Sequence, residues 1–130
     1  MAVTHSTAAR NAATDAVTAL ISTSGKLVFR ISPSTVASPG TAVATLSFSA
    51  TAFAASSGGT ATANAITADT NATGNASPVA FATMQTSGGT VVVQCSVAAS
   101  GSDINMTNGL TVAAGDTVSC SSLTYTALSA

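Results

Sequence analysis

The apolar residues of this chain repeat at spacings of three and four as far as Ile21, and at every second position after Gly25. That one change of period constrains the fold more than any motif in the chain, because a helix and a strand cannot share one pattern. Residues 6–22 read as a helix, with Ala9, Ala12, Ala13, Ala16, Val17, Leu20 and Ile21 forming an apolar stripe. Arg10, Asn11, Thr14, Asp15 and Thr18 fall on the other face. Ser6 or Thr4 is suited to the N-cap, and Gly25 to the stop. The stripe is mostly alanine. It allows close approach to a partner surface while burying little area, so it suits either the domain's own sheet or a neighbouring subunit.

Beyond Gly25 the alternation predicts short strands. Leu27, Phe29 and Ile31 share one phase, and Ala44, Leu46 and Phe48 another. Residues 60–68 alternate with only Ile66 as bulk, and a strand so thin needs large side chains facing it. Val79 and Phe81 are expected on one face of a strand over 78–86. Ser87-Gly88-Gly89 then turns the chain into a strand whose inward residues are Val91, Val93, Cys95 and Val97. Asn108-Gly109 is the strongest hairpin signal, since both positions tolerate positive φ. Val118 and Cys120 share one phase while Leu123 and Tyr125 take the other, which predicts a bulge near Ser121-Ser122. Residues 69–78 hold no bulky apolar side chain and read as a surface loop.

These runs predict a mainly β chain: an antiparallel β-sandwich or barrel, jelly-roll-like, of about seven or eight short strands with one N-terminal α-helix. Residues 1–24 form the expected helix or arm and 25–130 the β-sandwich, a single domain overall.

Composition decides what such a domain can do. Ala, Thr and Ser make up roughly half of the chain, which has three Lys or Arg, four Asp and no Glu. Soluble domains average about a quarter charged residues. A net charge of −1 leaves little repulsion between copies, so much of the surface is expected to be covered by other protein. Three cations cannot track a phosphate backbone, which argues against nucleic acid. Mean hydropathy is +0.50, yet no apolar run is long enough for a membrane span, and residues 1–22 lack the apolar block of a secretory signal. We therefore expect no membrane association and synthesis in the cytoplasm.

Catalytic parts are scarce. The one histidine, His5, precedes the helix and has no relay partner nearby in sequence. Asp69, Asp103 and Asp116 fall in turns, where aspartate caps nearby main chain. A calcium site in 69–71 or 101–105 lacks the dense acidic loop of an EF-hand. No catalytic residue, cofactor or metal is expected. Cys95 and Cys120 both fall on inward phases, leaving open buried thiols or a disulfide within or between subunits. The candidate subunit-contact stripe is Ala9, Ala13, Val17 and Ile21, with loop 69–78 as a second contact region.

The phrases STAARNAATDAVTALI, GKLVFRI, VATLSFSATAF and GGTATANAITADTNATG, followed by GLTVAAGDTVSCSSLTYTAL, cover nearly the whole chain. Together they resemble the small Ala/Thr/Ser-rich structural proteins, head decoration or cement proteins among them, of tailed bacteriophages. The resemblance implies a non-enzymatic virion component assembled in the host cytoplasm. A capsid decoration or cement protein comes first. Its partners would be the major capsid protein and copies of itself, as a homo-oligomer such as a trimer. A tail or head-tail connector subunit is the alternative. A receptor or carbohydrate-binding β-module fits less well, because such sites use aromatic platforms and this chain has one Tyr and four Phe.

Overall fold

A computed structural model describes residues 3–129, so residues 1, 2 and 130, the outer limits of the two expected segments, lie outside it. The chain is mainly β with one N-terminal helix, as the change of period predicts. Helix α1 (Thr7–Ile21) begins where Ser6 Oγ accepts the N–H of Ala9 at 3.1 Å, which satisfies one of its free amides. It ends at Ser22, and Thr23 and Ser24 take positive φ of 71° and 64°. Gly25 is needed for closeness: a Cβ there would collide with the Ile21 carbonyl and lie 2.6 Å from that of Gln85.

Among the described residues eight strands follow: β1 (Lys26–Ile31), β2 (Ala42–Phe48), β3 (Thr60–Thr62), β4 (Ile66–Thr67), β5 (Val79–Gln85), β6 (Val91–Ala98), β7 (Ile104–Asn105) and β8 (Thr124–Thr126). Six make one curled sheet, a half-barrel, in the order β4-β2-β1-β5-β6-β7. All of its pairings are antiparallel except β6 with β7. β3 and β8 form a separate two-stranded ribbon. The sheet's inner face is built in rows that cross the strands. One row runs Leu46, Leu27, Met84, Val93, and the next runs Ala44, Phe29, Ala82, Cys95. Ile21 of the helix and Ala61 of the ribbon join the same core, both fully buried. Phe48 and Phe53 pack at 5.5 Å between ring centroids.

Several expectations are corrected. Phe81 does not share a face with Val79. The register shifts between Arg30 and Ile31, so Val79 pairs with Ile31 while Phe81 pairs with Arg30 on the outer face. A one-residue bulge at Ala80 reverses the parity, and Ala82 and Met84 become the inward residues. Residues 60–68 split into β3 and β4, which join different sheets. The turn at Asn108-Gly109 forms, but no hairpin follows it. Leu110 and Val112 offer their carbonyls to Val79 and Asn75 instead. Val118 makes only an isolated bridge with Asp69 and Cys120 lies outside any strand, so the predicted bulge at Ser121-Ser122 has no strand to interrupt. In this stretch the apolar side chains are anchored singly, and main-chain bonds to the loop at 69–75 replace a ladder.

Candidate functional site

Among the described residues no group of three or more His, Cys, Asp or Glu converges in one place. Helix α1 does not dock through the expected stripe. Thr14, Thr18 and Ile21, spaced i, i+4 and i+7, are its buried residues. Thr14 Oγ1 donates to the carbonyl of Gly59 at 2.6 Å and accepts the N–H of Ala127 at 3.1 Å. Asn11 Oδ1 accepts the N–H of Gly59 at 2.8 Å, and its carbonyl accepts Ser56 Oγ at 3.1 Å. Asp15 Oδ1 accepts the N–H of Ser56, and Arg10 donates to the carbonyl of Gly58. The face expected to be solvated is thus the one that satisfies the turn before β3.

The reason is energetic. A methyl group buries little area, whereas a turn main chain pressed against a helix needs partners or incurs a penalty of about 1–3 kcal/mol per orphaned group. Of the candidate stripe, Ala9 is exposed, Ala13 and Val17 are half-buried, and Ile21 is wholly inside the domain's own core. The stripe is therefore not one contact surface. The face left outside carries Ala8, Ala9, Ala12, Ala16, Ala19 and Leu20, all exposed. Leu20 is 59% exposed, and Val3 and Val36 add further exposed apolar side chains.

All four aspartates accept main-chain amides. Beside Asp15, Asp69 accepts from Thr45 and Asn71, Asp103 from Ser96, and Asp116 from Ala113. The few negative charges are thus committed to holding turns and the edges of strands β2 and β6. The second contact region, loop 69–78, is likewise stitched to the C-terminal segment: Asp69 and Val118 exchange bonds of 2.9 and 2.8 Å, and Ala72 is buried.

On the outer face of the sheet, the Arg30 guanidinium donates to Thr83 Oγ1 at 2.9 Å, the Gly40 carbonyl at 2.7 Å and Gln85 Oε1 at 3.0 Å. These acceptors are neutral, and burial pulls its pKa below the usual value. Next to it Gln94 and Ser34 bond through both ends of the amide, at 2.7 and 2.9 Å. The loop after β1 is thereby tied across the outer face, and Thr83 beneath it is fully buried. Nothing in the alternation marks this network. A long polar side chain on the outer phase of a central strand is the only hint of it.

Both cysteines are free thiols and half-buried. Cys95 Sγ donates to the Ala82 carbonyl at 3.5 Å, and burial, with Asp103 adding to it, pushes its pKa up to about 11. Burial also raises that of Cys120, which donates to the carbonyl of Ser122. A cavity of about 530 Å³ lies between Phe29, Asp103, Asn105, Asp116 and Cys120. Its two carboxylates already accept main-chain amides, Asp103 that of Ser96 in β6 and Asp116 that of Ala113 in a turn. Among the described residues no group of three or more His, Cys, Asp or Glu could hold a metal, and no helix is long and apolar enough to cross a membrane.

Compared with known protein families, with curated proteins and with solved structures, the chain finds no match. The functional reading therefore rests on its own residues.

Proposed function

We propose that this chain is a non-enzymatic structural protein of a phage virion, a capsid decoration or cement protein that stabilises the head through subunit contacts. The observation that carries the reading is an outer surface almost without free charge. The helix presents an uninterrupted face of alanines and Leu20, and all four aspartates are held by the chain's own main chain. Such a surface gains by being covered, and it offers little to a charged substrate or a polyanion. Its partners would be the major capsid protein and sibling copies, in a virion assembled in the host cytoplasm. Binding only to the assembled lattice would shift the equilibrium toward the intact shell by mass action.

Purified particles with and without this protein test the reading. Gel densitometry should find many copies per head, and particles lacking it should disrupt at lower temperature. Equal heat resistance would overturn the cement role. Confinement of the protein to the tail would favour the tail or head-tail connector alternative instead.

A further inference from the structure

Six asparagines are spread along the chain, and the fold restrains five of them. Asparagine is chemically labile where the main-chain nitrogen that follows it can reach its side-chain carbonyl carbon. That attack needs a side chain able to turn and a following amide that is not already engaged. Asn11 Oδ1 accepts the N–H of Gly59, and the amide after it lies within helix α1. Asn64 Nδ2 donates to the Thr51 carbonyl at 2.8 Å, and Asn75 Oδ1 accepts the N–H of Ser77 at 2.8 Å. Asn105 Oδ1 accepts from Ser102, while the N–H of Met106 is given to the Ala98 carbonyl. Asn71 is exposed, but the N–H of Ala72 donates to the Asp116 carbonyl at 3.0 Å, and Ala72 itself is buried.

Asn108 differs on every count. It is exposed in its turn, and among the described residues no hydrogen bond holds its side chain and the Gly109 N–H reaches no other segment. Gly109 takes a φ of 109°, and a Cβ built there would meet nothing within 4 Å. No side chain shields the Gly109 nitrogen, and open space surrounds the turn.

We propose that Asn108 is a site of spontaneous modification, at which water converts the side-chain amide to a carboxylate. The Gly109 nitrogen gives its proton to hydroxide and bonds to Cγ of Asn108. The Cγ–Nδ2 bond breaks, and ammonia leaves with a proton returned from water. Water then opens the cyclic imide. Cleavage between nitrogen and Cγ leaves aspartate, and cleavage between nitrogen and the main-chain carbonyl carbon leaves isoaspartate. One water is consumed and one ammonia released, with nothing oxidised or reduced. Either product carries a carboxylate that is ionised at neutral pH, on a chain whose net charge is only −1. Asn108 lines the same cavity as Asp103 and Asp116, so the new charge joins two carboxylates already there. The conversion needs no partner and stands whether or not the virion reading holds.

Incubating the purified chain at mildly alkaline pH, with isoelectric focusing and peptide mass mapping, tests it. A more acidic form should accumulate, faster as hydroxide rises, with aspartate and isoaspartate mapped to position 108. Asn108→Gln, at an exposed turn, should fold and yield none of that form. Asn108→Asp should focus with the aged form from the start. A parent chain that stays unchanged, an acidic form that arises equally in Asn108→Gln, or conversion of Asn71 as fast as Asn108 in the folded chain would overturn the proposal.

Discussion

Helix α1 and strand β1 are adjacent in the chain, packed in one core and open to the same rule of apolar periodicity, yet the rule succeeds for the strand and fails for the helix. On β1, Leu27 and Phe29 turn inward as their phase demands and are almost wholly buried. On α1, the alanine stripe is left largely outside, and the helix is turned by about a third of a revolution so that Asn11, Thr14 and Thr18 meet the protein. The difference lies in how much free energy each side chain can contribute. Burying Leu or Phe is worth about 1.5–3 kcal/mol, which is enough to dictate orientation. Burying one alanine methyl is worth less than satisfying a main-chain amide. Periodicity is thus a reliable guide only where its apolar positions hold bulk.

The comparison is broken most forcefully from the strand side. Phe48→Ala, in the row next to Phe53, should destabilise the domain by about 3–5 kcal/mol through lost burial and a residual cavity; an unchanged melting temperature would mean that the inward phase is wrong. Thr14→Val keeps the shape of the helix contact but removes both bonds of its hydroxyl, to Gly59 and to Ala127. It should cost about 1–3 kcal/mol in chemical denaturation, whereas a gain in stability would show that the helix docks by apolar contact after all. Leu20→Ser, at the exposed end of the helix, should change stability by no more than about 0.5 kcal/mol. A larger loss from Leu20→Ser than from Thr14→Val would reverse the assignment of the two faces.

Legibility varies along the chain for the same reason. The strands containing Leu27, Phe29, Leu46, Met84 and Val93 could be found from alternation and from the Gly88-Gly89 turn. The parity error at Phe81 arose because a single extra residue at Ala80 leaves no trace in composition. The hairpin expected after Asn108-Gly109 failed because Leu110 and Val112 lie near a different segment, and their main-chain bonds go to residues 75 and 79. Of the surfaces, the shortage of charge was plain from the sequence. The Arg30, Thr83 and Gln85 network was not, because its members are brought together from β1 and β5.

The sequence by itself determined a helix followed by short strands, a core assembled from a few bulky residues, and a surface with hardly any charge. Those properties are local or additive, so they are present in the chain before it folds. Tertiary structure alone decided which face of the helix is inside, which carboxylate holds which amide, and which strand is left at the edge. Each of those depends on groups far apart in sequence, and the free energy of a hydrogen bond or a strand pairing exists only once both partners are in place.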